Sequence, residues 1–170
     1  MTETVPAIDE SKLLNKAIAS SCRFLAMREH SEKQIRQKLL KKAYDQAIIS
    51  SCVAYLRNEN WLSDERFCNA FIRSRIDKEQ GLQRILYELH QQNIQDSIIQ
   101  EQIEQENINW QEVCDKVLLK KISNRPANDF ADEKVSKGKK YNPKDRKKIT
   151  NFLIFRGFST EEINTAFKRL

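Results

Sequence analysis

Two stretches, "SEKQIRQKLLKKAYDQAIISSCV" at 31–53 and "GLQRILYELHQQNIQDSIIQEQI" at 81–103, carry apolar residues at the same positions. A shift of fifty residues aligns the following pairs: Ile35 with Ile85, Leu39 with Leu89, Ile48 with Ile98, Ile49 with Ile99 and Val53 with Ile103. A third, weaker copy closes the chain, with Ile149, Leu153, Phe158, Ile163 and Phe167 in the places of Ile85, Leu89, Ile94, Ile99 and Ile103. A period of this length indicates supersecondary units that bury their faces against one another.

Each copy is predicted to contain three helices, because the apolar spacing is helical and capping residues such as Ser31, Asp45 and Ser63 precede the apolar runs. Three glycines and three prolines in 170 residues are too few for a turn-rich strand fold. We therefore predict an all-α protein of three tandem three-helix repeats in an elongated, curved array. The predicted segments are a flexible tail at 1–12 and repeats at 13–60, 61–108 and 109–170, the last with a basic, mobile loop insertion at about 124–142.

The composition of the chain limits the classes of function that it can have. The formal net charge of +6 suits an anionic partner, although it is equally typical of a generic basic protein. The four cysteines form no C-x-x-C pair, which indicates reduced thiols in a cytoplasmic protein. We expect neither a signal segment nor a membrane span. No phosphate loop, metal-ligand set or activated nucleophile is recognisable, so we expect no enzyme and no cofactor.

The stretch "WLSDERFCNAFIRSR" at 61–75 is predicted to be a helix that presents arginines. Phe67, Ala70, Phe71 and Ser74 share its predicted buried face, Arg66 and Arg73 lie opposite, and Arg75 flanks the stripe. The next helix is predicted to turn Arg84 and Tyr87 outward, and aromatic and guanidinium groups together favour an interface. The alternative is a solvated face with salt bridges to Asp64 or Glu65.

A second basic cluster, "KVSKGKKYNPKDRKK" at 134–148, has eight basic residues against one aspartate. Such a run could follow a phosphate backbone. The candidates here are Lys137, Lys139, Lys140, Lys144, Arg146, Lys147 and Lys148.

Four blocks together resemble the RecX family, the bacterial regulators of the RecA recombinase. They are "FLAMREHSEKQIRQKL" at 24–39, "NWLSDERFCNAFIRSR" at 60–75, "GLQRILYELHQQNI" at 81–94 and "FLIFRGFSTEEI" at 152–163. The resemblance implies three tandem three-helix units that bind RecA–DNA filaments in their helical groove and restrain strand exchange and ATP hydrolysis, without a cofactor. It places a basic surface around Arg73, Arg75, Lys78 and Arg84.

The middle block "KEQGLQRILYELH" at 78–90 departs from the family pattern of K-G-x-G-P followed by R-I-R and E-L-R. Leu82 stands where proline is usual, and Leu86 and His90 stand where arginine is common. Three hypotheses follow. The first is a regulator that binds the RecA nucleoprotein filament, with single- or double-stranded DNA as a further partner. The second is a free-standing DNA-binding protein that uses its basic faces directly. The third is an RNA-associated helical repeat. Without coiled-coil heptads, a monomer is expected.

Overall fold

The structure, a computed structural model, describes residues 10–123 and 143–170. Within these ranges it contains nine α-helices and no strand, which confirms the all-α prediction. The helices are α1 Glu10–Met27, α2 Glu32–Leu40, α3 Gln46–Asn58, α4 Asp64–Asp77, α5 Leu82–Gln91, α6 Asp96–Glu106, α7 Trp110–Ser123, α8 Pro143–Arg156 and α9 Thr160–Arg169. Helix α1 already begins inside the segment 1–12 that the sequence assigns to a tail. The predicted loop at 124–142 lies outside the described residues, and the repeat boundaries and the curved shape stay predictions.

Most helix starts follow the predicted capping chemistry, in which a side-chain oxygen satisfies a free N–H group of the first turn. Ser31 Oγ accepts from the Gln34 N–H group at 3.1 Å, and Asp45 Oδ1 accepts from the Ile48 N–H group at 2.8 Å. The sequence also predicts Asp96 as the cap of the next helix, and this prediction is wrong. Asp96 is the first helical residue of α6, and its carboxylate lies 2.7 Å from His90 Nε2 instead.

Two compact units share the chain. The first comprises Met1–Phe71 and Leu89–Gln102. Its core lies where α1 packs against α2 and α3. The repeat positions Ile35, Leu39 and Ile49 are fully buried there. The other buried residues of this core are Ala17, Ile48, Cys52, Val53, Leu56 and Leu62.

The second unit comprises Ile72–Glu88 and Ile103–Leu170. Its main core lies among α7, α8 and α9. Ile149, Leu153 and Ile163, which the weaker third copy predicts to be buried, have at most 1% of their surface exposed. The other buried members are Cys114, Val117, Leu118, Phe158 and Ala166. Phe167, the last position of the predicted third copy, is only half-buried and packs against this core.

The buried face of α4 differs from the prediction. Its fully buried residues are Phe67, Cys68 and Ile72, whereas Ala70 is exposed and Phe71 is only half-buried. Cys68 and Ile72 are four residues apart and therefore share one side of the helix. The inward face is thus rotated by about one residue from the predicted stripe, because the larger Ile72 is buried in preference to the small Ala70.

Helices α2, α5 and α8 end in the same left-handed turn. Ala43, Asn93 and Gly157 each lie eight residues after the repeat positions Ile35, Ile85 and Ile149, and have φ of 61°, 60° and 95°. In each turn the next N–H group donates to the carbonyl five residues earlier, at 3.1–3.3 Å. This geometry is the Schellman ending of a helix, which glycine adopts with least strain.

Candidate functional site

A close backbone crossing within the second unit joins the start of α5 to the end of α8. The Gly81 N–H group donates to the Arg156 carbonyl at 2.8 Å, and the Gln83 N–H group donates to the Gly157 carbonyl at 3.0 Å. A Cβ atom on Gly81 would lie 2.4 Å from the Gly157 oxygen, and one on Gly157 would lie 2.4 Å from Arg84 Cβ. Only a pair of glycines allows this approach, which brings Arg84 against the last turn of α8.

Four side chains form an exposed surface at this crossing, which we name the basic–aromatic shelf: Arg84, Tyr87, Ile154 and Phe155. The residues Tyr87, Ile154 and Phe155 are 64%, 50% and 76% exposed. The Arg84 guanidinium carbon lies 5.0 Å from the centre of the Phe155 ring, and its Nη1 donates to the Phe155 carbonyl at 3.1 Å. The shelf therefore combines a fixed positive charge with two accessible aromatic rings.

One carboxylate orients two of the predicted arginines. Arg75 Nε donates to Glu88 Oε2 at 2.6 Å, and Arg84 Nε donates to Glu88 Oε1 at 2.9 Å. Two guanidinium groups and one carboxylate leave a net positive charge beside Tyr87. A guanidinium has five N–H donors, so Arg84 has more donors than its bonds to Glu88 and Phe155 use, and these can bind a phosphate or carboxylate.

The two arginines that were predicted to line up on α4 have different environments. Arg73, whose side chain is 65% exposed, donates from Nε to Glu106 Oε1 at 2.7 Å. Arg66 donates from Nε to Glu29 at 3.0 Å and from both terminal nitrogens to Asn60 at 2.9 Å. Arg66 therefore links the turn at Asn60 to Glu29, two residues after the end of α1, whereas Arg73 is more accessible.

A polar groove lies on the other side of Arg84. Arg156 Nη1 donates to the Lys78 carbonyl at 2.7 Å, and Lys120 Nζ lies 2.7 Å from Glu79 Oε1. The hydrogen bond from Lys120 lowers the pKa of the Glu79 carboxyl. Lys78 itself is exposed, so the predicted Lys78 and the unpredicted Lys120 and Arg156 meet here.

The start of α8 is basic, as the sequence predicts. Lys144, Arg146, Lys147 and Lys148 are exposed, and Arg146 lies over the Phe167 ring at 5.0 Å. Helical spacing places Lys147, Lys148 and the exposed Asn151 on the side of α8 that ends at the shelf. Lys137, Lys139 and Lys140 lie outside the described residues.

Sequence reasoning missed the apolar half of the shelf. Phe152–Phe155 is a run of four apolar residues, and four successive helical residues cover about 300° of the helix. Such a run cannot be buried on one side. With Leu153 buried, Ile154 and Phe155 must turn toward solvent, and this is the signal that could have found them.

Burial suppresses the ionisation of two cysteine thiols, Cys68 and Cys114. Burial, with a smaller contribution from Asp64, raises the pKa of the Cys68 thiol to about 12. Burial also raises the pKa of Cys114 to about 12. Among residues 10–123 and 143–170, no group of three or more His, Cys, Asp or Glu side chains could hold a metal ion. Over the same residues, none of the helices is long and apolar enough to cross a bilayer.

Helices α4, α5 and α8 thus carry guanidinium and aromatic groups at exposed positions of an all-helical protein. Family comparison is specific: the first three-helix domain of RecX matches residues 17–56, and the second three-helix domain of RecX matches residues 63–102. The regulatory protein RecX of Yersinia enterocolitica is 30% identical over 175 residues, which cover 91% of this chain and 97% of that protein. The regulatory protein RecX of Haemophilus ducreyi is 31% identical over 140 residues, which cover 82% and 83%. The chain belongs to the RecX family of regulatory proteins.

Solved structures agree on the fold. A crystal structure of regulatory protein RecX matches with a TM-score of 0.73 and 20% sequence identity. The match covers 97% of this chain and 78% of the chain in that crystal structure. The crystal structure of RecX from Lactobacillus salivarius matches 94% and 97%, with a TM-score of 0.70 and 17% identity.

Proposed function

We propose that this protein binds the filament that the RecA recombinase forms on DNA, and that it thereby inhibits RecA's ATP hydrolysis and strand exchange. Membership of a family of regulatory proteins supports the regulatory part. The observation that carries the choice of surface is the set of oriented arginines Arg73, Arg75 and Arg84. The proposed regulator is a monomer that works in the cytoplasm without a cofactor.

The ion pairs of these arginines leave part of each guanidinium accessible to a partner. Glu106 and Glu88, whose side chains are 17% and 21% exposed, orient Arg73 and Arg84. A guanidinium carries five N–H donors, and one carboxylate does not use them all. A phosphate of DNA or a carboxylate of RecA can therefore bind beside the glutamate, and the planar guanidinium can bind it with two hydrogen bonds.

Free-standing DNA binding is the alternative, and the basic start of α8 favours it. A protein that acts only through lysine–phosphate contacts should lose affinity steeply as salt rises, and should gain nothing when RecA coats the DNA. A filament regulator should bind RecA-coated DNA more tightly than bare DNA at physiological salt. Measuring both affinities separates the two functions.

The direct test is RecA's ATPase on single-stranded DNA with this protein titrated in. The chain offers a closely matched pair of double variants. Arg73→Gln with Arg84→Gln removes one arginine that is 65% exposed and one that forms an i,i+4 pair with a glutamate. Arg57→Gln with Arg36→Gln removes one that is 64% exposed and one in an i,i+4 pair, both bound to Glu32.

Both double variants lose the same charge and should fold, because surface changes of this kind stay within about 0.5 kcal/mol each. We expect the variant at positions 73 and 84 to require much more protein for half-inhibition, and the control to inhibit like the parent. Equal weakening by both would mean that charge alone matters. Unchanged inhibition by both would mean that these arginines are only a solvated face.

A further inference from the structure

The exposed aromatic residues of the shelf are not required by the repeat fold. Phe155 lies six residues after Ile149, and the equivalent positions in the other repeats hold Lys41 and Gln91. Tyr87 lies two residues after Ile85, where the other repeats hold Gln37 and Asn151. All four equivalents are polar and exposed. The fold therefore tolerates an amide at both places and a lysine at the position of Phe155, so the aromatic rings need another explanation.

The shape of the shelf limits what can bind there. At 76% exposure the Phe155 ring stands out from the surface, and the groove between it and Tyr87 is shallow and open. Hot spots of protein–protein interfaces insert side chains into well-packed pockets. This surface instead presents the faces of aromatic rings and has no such pocket. A flat ligand that stacks on a ring fits it better than a protruding side chain does.

The surrounding charge indicates the nature of that ligand. Arg84 lies against the ring, and Lys147 and Lys148 lie about 10–12 Å further along α8. Stacking faces at the end of a cationic track are the arrangement with which proteins bind single-stranded nucleic acid irrespective of sequence. We propose that an unpaired base of single-stranded DNA stacks on Phe155 and Tyr87, while the neighbouring phosphates contact Arg84, Lys147 and Lys148. This site adds detail to the proposed function and rests on it, because binding to the RecA–DNA filament is what brings the protein to single-stranded DNA.

Binding to naked oligonucleotide tests the site without RecA. The probes are a fluorescein-labelled oligothymidylate of about twelve nucleotides and an abasic oligomer of the same length and charge. The variant is Phe155→Gln with Tyr87→Gln, since glutamine stands at one of the equivalent positions for each. Met27→Gln, which changes a side chain that is 84% exposed on the other unit, is the control.

We expect the parent to bind oligothymidylate about 5- to 30-fold more tightly than the abasic oligomer, corresponding to the stacking of one base. The double variant should lose this preference, keep the parent's affinity for the abasic oligomer and keep its salt dependence, because no charge changes. Phe155→Trp should preserve the preference, and Met27→Gln should behave like the parent. An unchanged melting temperature shows that each variant is folded.

Two results would overturn the site. One is a parent that binds both oligomers equally, and the other is a double variant that binds oligothymidylate as the parent does. If the parent shows no base preference and the double variant inhibits RecA's ATPase less than the parent, the shelf contacts protein instead. That outcome rejects base stacking and leaves the proposed function standing. A parent that shows the base preference but never affects RecA's ATPase supports the site and rejects the proposed function.

Discussion

Gly157→Ala is expected to destabilise the protein substantially, because the glycine crossing tolerates no side chain. The new Cβ atom would lie 2.4 Å from Arg84 Cβ and 2.5 Å from the Arg84 nitrogen, in a residue whose φ is +95°. A left-handed conformation costs alanine about 1–2 kcal/mol. Relieving the clash would separate the two segments, and the hydrogen bonds from the Gly81 and Gln83 N–H groups are worth about 0.5–1.5 kcal/mol each.

The combined loss is about 2–5 kcal/mol, which lowers the melting temperature of a chain of this size by about 5–15 °C. Thermal melting followed by far-ultraviolet circular dichroism measures it. Because the clash would push α5 away from α8, and with it Tyr87 away from Phe155, the variant should also lose its preference for oligothymidylate over the abasic oligomer below its melting temperature. A variant that melts with the parent would refute the argument from close approach.

The equivalent turn of α2 allows the reverse substitution, from alanine to glycine, as a control. Ala43 occupies the equivalent turn with φ of +61°, is exposed, and already bears the strain that Gly157 avoids. Ala43→Gly removes about 1–2 kcal/mol of backbone strain from the folded state. It also destabilises the protein by about 0.4–1 kcal/mol, because glycine gives the unfolded chain more conformational freedom. We expect a net stabilisation of about 0.5–1 kcal/mol. Destabilisation by this substitution would show that backbone strain does not govern these turns.

Three further predictions concern burial and ionisation. Leu153→Ala should cost about 2–5 kcal/mol in chemical denaturation, while Ile154→Ala on the next, half-exposed residue should cost much less; similar costs would contradict the described α8 faces. Of Cys22 and Cys68, only the half-buried Cys22 should react quickly with a thiol reagent in the folded protein at pH 8, because a pKa of about 12 leaves Cys68 almost wholly protonated; fast labelling of Cys68 would show that its helix opens readily. Burial raises the pKa of Asp64, so the folded chain holds this proton more tightly than the unfolded chain and loses that stabilisation as the pH rises from about 4 toward 7. The melting temperature of Asp64→Asn, measured relative to that of the parent, should therefore increase as the pH rises through this range. A difference between the two melting temperatures that does not change with pH would exclude a role for this carboxyl.

The family resemblance and the local signals were readable from the sequence because each depends on neighbours along the chain. Ile35, Ile85 and Ile149 could be aligned as buried positions, since helical periodicity determines which side of a helix is apolar. The cap at Ser31 could be predicted because a cap acts on N–H groups two or three residues away. The rotation of α4 could not be predicted from the sequence, because the elements that pack against this helix decide whether Ala70 or Ile72 is buried.

The partners of the arginines were decided by tertiary structure alone. Local salt bridges to Asp64 or Glu65 were the alternative to a binding surface, yet the described partners are Glu29 for Arg66 and Glu106 for Arg73, each more than thirty residues away in sequence. The shelf likewise joins Arg84 to Phe155 across seventy-one residues, through a crossing that only two glycines permit. The sequence by itself determined the family, the helices and most of the buried positions, because these follow from local periodicity and capping. Which exposed groups meet to form a surface depends on how helices cross, and no local pattern records that.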